Sequence, residues 1–129
     1  MNALDKTLAI VEAALEKKSY DLVVLRIEHL ATIADYFVIM SGRSAVQVAA
    51  IAQGIEDRLR NMGVAPLSVE GLGPARWVVL DYGDVVLHIF YEPVRELYRL
   101  ESIWSDAANV TLPEPLRSQA AQLRLREHS

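Results

Sequence analysis

A chain of 129 residues, 52% of them hydrophobic, suits one domain with an ordinary apolar core. It has no cysteine, which excludes disulfides, thiolate metal sites and cysteine nucleophiles. Its formal charge of −4 argues against a general nucleic-acid binder, which would set clustered Lys and Arg against phosphate. The opening residues Met1 to Lys6 lack the basic and apolar regions of a secretory signal, and no apolar run approaches the ~20 residues of a membrane span. These features predict a soluble cytoplasmic protein with no membrane contact.

In chain order, Leu4, Leu8, Val11 and Leu15 recur at helical spacing, with acidic residues early and Lys17 and Lys18 at the end, as a helix dipole favours. Asp21 to Ile27 and Tyr36 to Met40 are nearly continuous apolar runs, which predict strands covered on both faces. Ser44 with Gln47 three residues on has capping-box spacing. The helix that follows carries a stripe of Val48, Ile51, Ala52, Ile55, Leu59 and Met62 and is expected to stop at Gly63. Gly54 inside it suggests a close backbone approach.

A short strand is expected over 67–70, then a loop, then a hairpin from Trp77 to Tyr91 turning at Asp81-Tyr82-Gly83-Asp84. Strand, long helix and strand in succession predict a parallel crossover, hence a mixed sheet of about five strands with helices packed on it, an α/β fold. Pro93 suits the first turn of a final helix with Leu97, Leu100 and Trp104 facing inward, and the domain is expected to span 1–107. Residues 108–129 read as a mobile C-terminal tail, with Leu116, Leu123 and Leu125 set among Arg117, Arg124 and Arg126. From residue 107 on, three Arg and two Glu give +1, which leaves −5 on the preceding residues.

Chemistry gathers at the hairpin. Asp81 and Asp84 have the make-up of a Mg²⁺ or acid/base pair, yet Asp at both ends of a tight turn is ordinary turn chemistry. His29, His88 and His128 are isolated, and mid-strand His88 reads as a core imidazole, so no catalytic, metal or cofactor site is assigned. An alternative is a nucleotide-dependent transferase using Ser44 at the helix start with Asp81 and Asp84. Trp77, Tyr82 and Tyr91 with nearby carboxylates match the composition of interface hot spots, and equally that of a packed sheet.

Several stretches together resemble one family. They are Ala34-Asp35-Tyr36-Phe37-Val38-Ile39-Met40-Ser41-Gly42, Gln47, Val69-Glu70-Gly71, the block Trp77 to Phe90 containing Asp81-Tyr82-Gly83-Asp84 and His88, and Arg95 to Trp104. This ordered set resembles the ribosomal silencing factors, also called the Iojap family, over about residues 3–107. The resemblance implies a fold related to nucleotidyltransferases without their catalytic carboxylates. It also implies binding to ribosomal protein fourteen of the large subunit, on the face that meets the small subunit, so that joining is blocked and translation falls when nutrients are short. Homodimers are implied as well. Carried over by position, it points to Trp77, Asp81, Tyr82 and Asp84 as contact residues, with Glu70 and Tyr91 beside them.

Overall fold

The computed structural model describes residues 1–28, 34–99 and 107–128, with side chains up to residue 124. Its elements are α1 (Ala3–Glu16), β1 (Tyr20–Arg26), β2 (Tyr36–Gly42), α2 (Ala45–Asn61), β3 (Ser68–Glu70), β4 (Trp77–Asp81), β5 (Val85–Tyr91), α3 (Glu92–Tyr98), β6 (Ala108–Asn109) and α4 (Leu116–His128). One sheet runs in the order β3-β4-β5-β2-β1-β6. β2 and β5 are parallel and the other neighbours antiparallel, the expected mixed sheet with two-residue β6 as the strand beyond five. The crossover from β2 through α2 reaches β3, which runs in the same direction as β2. The β4–β5 hairpin fills the two positions between them.

The central strands explain the unbroken apolar runs. β2 is buried from Phe37 to Gly42, with α1 and α2 on one face and a second cluster of Leu25, Ile27, Ala34, Phe37, Ile39 and Phe90 on the other. On the helix-covered face, Ile10, Val11, Ile51, Ile55 and Leu59 pack against Val38, Met40, Val78, Leu80, Leu87 and Ile89. At ~25 cal/mol per Å² of apolar surface removed from water, this layer is the chief source of stability. No helix among the described residues is long and apolar enough to cross a membrane.

Caps set the helix limits. Asn2 Oδ1 accepts from Asp5 N at 2.8 Å to start α1, and Ser44 Oγ accepts from Gln47 N at 3.1 Å to start α2. The Gln47 amide also donates to the carbonyls of Lys17 and Lys18, tying the start of α2 to the end of α1. Antiparallel pairing of the two helices brings Arg58 onto Glu12 and Glu16. Gly63, at φ 81°, follows the α2 C-cap as expected.

Several expectations are corrected. Leu4 is exposed, because the buried face of α1 is carried by Thr7, Ala9, Ile10, Ala13 and Ala14 along with Val11 and Leu15. Met62 is exposed at the end of α2. The close approach at Gly54 comes from the Lys17 side chain, whose Cε would lie 2.9 Å from an added Cβ, and no backbone atom is among the nearest neighbours. Leu97 is 75% exposed: α3 ends at Tyr98, where Arg99 adopts φ 46° and breaks the helical period. Leu100 and Trp104, the other expected inward positions, lie outside the described residues, as does His29.

The segment from residue 108, expected to lie beyond the domain, takes part in its packing. β6 pairs with β1 at the sheet edge, and α4 rests on α1 and β1 with Leu116 and Leu123 buried in the helix-covered core. Arg124 Nε stands 3.6 Å from Asp21 Oδ1, while the side chains of Leu125 and Arg126 lie outside the described residues.

Candidate functional site

The hairpin forms where the residues predict it. Gly83 takes φ 89° between the two strands, Tyr82 N donates to Val85 O at 2.9 Å, and Asp81 Oδ1 accepts from Gly83 N at 2.8 Å. The role of Asp81 in the turn is thus the local backbone bond that the residue type favours. Gly71, at φ 82°, ends β3 so close to β4 that a Cβ there would lie 2.0 Å from Trp77 O, and no other residue fits.

Strand parity then sorts the six candidate contact residues. Trp77, Val79 and Asp81 alternate onto one face of β4, and the cross-strand register puts Glu70 beside Val79 on the same face. Val86, His88 and Phe90 of β5 continue it. Trp77, Val79, Asp81 and Val86 are partly exposed, Glu70 is exposed, and the Tyr98 ring, over half exposed, lies 4.9 Å from that of Trp77. The Trp77 indole also stacks on Phe90 at 4.9 Å. An aromatic and aliphatic patch with carboxylates at its rim results, and Trp77, Asp81 and Glu70 share it.

The other three residues leave this face. Tyr82 is 5% exposed and joins the core under α1 and α2, so it is not an available contact. Burial pushes its phenol up to about 12, and the hydroxyl has no hydrogen-bond partner among the described residues. Asp84 accepts from Lys6 Nζ at 2.7 Å, and its carbonyl accepts from Asp35 N at 2.8 Å, so it joins α1 and the start of β2 to the turn. Tyr91 is partly buried against the helix-covered core and serves as N-cap of α3.

Three residues of the patch went unread in the sequence as contributors, Val79, Val86 and Tyr98; cross-strand register places the first two on this face and the end of α3 the third. His88 is a buried imidazole, as expected, but it is paired to the patch: Trp77 Nε1 donates to His88 Nδ1 at 3.1 Å. The two lie on diagonal cross-strand positions, a spacing within reach of aromatic side chains.

The constellation proposed for a transferase is not assembled. Tyr36 stands opposite Val85 and Gly42 opposite Tyr91, so Ser44 and the Asp81–Asp84 turn lie at opposite ends of the parallel pair, about 20 Å apart. The crevice at the carboxyl ends of parallel strands, where open α/β sheets bind ligands, is filled from within. There the buried Arg95 donates to Asp21 O at 2.6 Å and Ser41 Oγ at 2.8 Å, and Tyr20 OH donates to Glu92 Oε2 at 3.1 Å. Among the described residues, no group of three or more His, Asp or Glu is placed to hold a metal ion.

Comparison with known proteins places this fold. The family described as "Ribosomal silencing factor during starvation" matches residues 1–128. The chain is 43% identical over 92 residues to the ribosomal silencing factor RsfS of Bacillus subtilis, covering 71% of this chain and 78% of that one. It is 33% identical over 113 residues to the chloroplastic protein Iojap of Zea mays, covering 85% of this chain and 48% of the maize protein. A crystal structure of a Chromobacterium violaceum protein superposes with a TM-score of 0.80 at 30% identity, covering 81% of this chain and 88% of that one. One from Bacillus halodurans superposes with a TM-score of 0.75 at 36% identity, covering 86% and 100%. The chain belongs to the ribosomal silencing factors, a family named for a regulatory action on the ribosome.

Proposed function

We propose that this protein binds the large ribosomal subunit through ribosomal protein fourteen and blocks joining of the small subunit by steric exclusion, lowering translation in the cytoplasm when nutrients are short. The observation that carries the reading is the partly exposed face formed by Trp77, Val79, Val86 and Tyr98 with Glu70 and Asp81 at its rim. Large aromatics supply desolvated anchors at an interface centre, and rim carboxylates steer a basic partner and disfavour an acidic one. Blocking by occupation needs no reaction, so Asp84, paired with Lys6, and buried Arg95 are left to hold the fold. A homodimer formed through the same face would compete with the ribosome for it.

The test is sedimentation with purified large subunits, followed by a joining assay with small subunits. The protein is expected to co-sediment and to reduce joining in proportion to its occupancy. Absence from the large-subunit fraction, or full joining at saturating protein, would sink the reading.

A further inference from the structure

We infer that His88 is a positioning residue for this recognition face, its Nδ1 accepting the Trp77 indole proton and so fixing the aromatic anchor that meets the partner. The inference rests on the reading of that face as the contact surface. Its foundation is the row in which His88 stands: Glu70, Val79, His88, Ile39 and Val23 lie side by side across five strands. Inward of Glu70 on the edge strand β3, this row is apolar except at His88, which is 8% exposed, with Phe37 edge-on at 5.3 Å. An aliphatic or phenyl side chain would continue the packing without a polar atom.

Imidazole brings a burden there. Indole N–H only donates, so Nδ1 is the bare nitrogen and the ring proton sits on Nε2. That Nε2 is buried and has no hydrogen-bond partner among the described residues. A buried donor left unpaired is destabilising, so the residue is poorly explained by stability alone. The hydrogen bond found for the ring is the one that Trp77 donates.

The effect on Trp77 follows from geometry. With its N–H held by His88 and one side stacked on Phe90, the indole has a defined orientation and presents apolar surface outward toward Tyr98 and solvent. An anchor already oriented loses less side-chain freedom on association. The partner groove is thereby specified: it needs an apolar slot for the indole and no acceptor for its N–H.

A double-mutant cycle on large-subunit binding separates positioning from packing. His88→Phe keeps an aromatic ring and removes the acceptor, and is expected to weaken binding roughly threefold to tenfold, the range of one hydrogen bond. His88→Gln, which retains an acceptor, is expected to recover most of the loss. In a Trp77→Phe background, which has no indole N–H, His88→Phe is expected to add nothing. The Trp77 indole signal in a ¹H–¹⁵N spectrum should exchange with solvent faster in His88→Phe than in wild type. A His88→Phe effect that persists in full on Trp77→Phe, or an indole exchange rate unchanged by it, would overturn the positioning role and leave the surface standing. Wild-type binding by Trp77→Ala would contradict the surface itself.

Discussion

Under α1 and α2, the β4–β5 hairpin presents Val78, Leu80, Leu87 and Ile89, all fully buried; on the reverse of the same strands Trp77, Val79, Asp81 and Val86 remain partly exposed. The first set is apolar throughout and closes a core shared with two helices. The second mixes an indole, a carboxylate and aliphatic groups and contains a buried imidazole bonded to the indole. A period-two alternation therefore lets twelve or so residues close the core on one side and form the partly exposed patch on the other. Substitutions on the two sides should separate accordingly, one changing unfolding and the other changing binding.

The largest effect is expected in the core. Leu80→Ala should lower unfolding free energy by about 2–5 kcal/mol in urea titration, because a fully buried leucine leaves a cavity. A loss below about 1 kcal/mol would mean that the face under the helices is not the packed one.

Next comes acid sensitivity on the recognition side. Burial holds His88 down to about 4, against 6.5 for the free ring. Between these values the unfolded chain binds more protons than the folded one, so stability falls as pH falls. The full contribution is present above pH 6.5 and is lost progressively toward pH 4, to a total of about 3 kcal/mol. His88→Phe should flatten that part of the stability profile, measured by urea unfolding at successive pH values. An unchanged slope would place the acid sensitivity elsewhere.

Smaller effects belong to the turn. Asp84→Asn removes the partly exposed ion pair with Lys6 and should lower stability by no more than about 1 kcal/mol. Tyr82→Phe deletes a buried hydroxyl that has no partner among the described residues and should leave stability unchanged or slightly raised in a thermal melt. A marked loss would show that the hydroxyl is hydrogen-bonded in solution.

Much of this arrangement was legible in the residues. The Ser44 and Gln47 spacing located α2, Asp81-Tyr82-Gly83-Asp84 located the turn, and continuous apolar runs marked the central strands. Proximity in sequence was a poorer guide at the site, since Tyr82 stands next to Asp81 yet enters the opposite core, and Asp84 turns to Lys6. Only register says which residues share a face. α1 hid its buried side because Ala9, Ala13 and Ala14 contribute to it without the size that makes a stripe visible. β6 is too short to show a pattern, and α4 lies within residues 108–129, which read as a mobile tail. The family resemblance implied a partner that composition left unnamed, and of the six positions it pointed to, register puts Trp77, Asp81 and Glu70 on one face.

The central claim is that this face, and not the turn end of the hairpin, meets the large subunit. Its direct test is the dissociation constant for purified large subunits of folded Trp77→Ala with Asp81→Lys, set beside that of Asp84→Asn. The first pair should weaken binding by at least about 30-fold, as loss of a hot-spot residue does, with Asp84→Asn close to wild type. Wild-type affinity in the folded Trp77→Ala, Asp81→Lys protein, or a larger loss from Asp84→Asn, would contradict it.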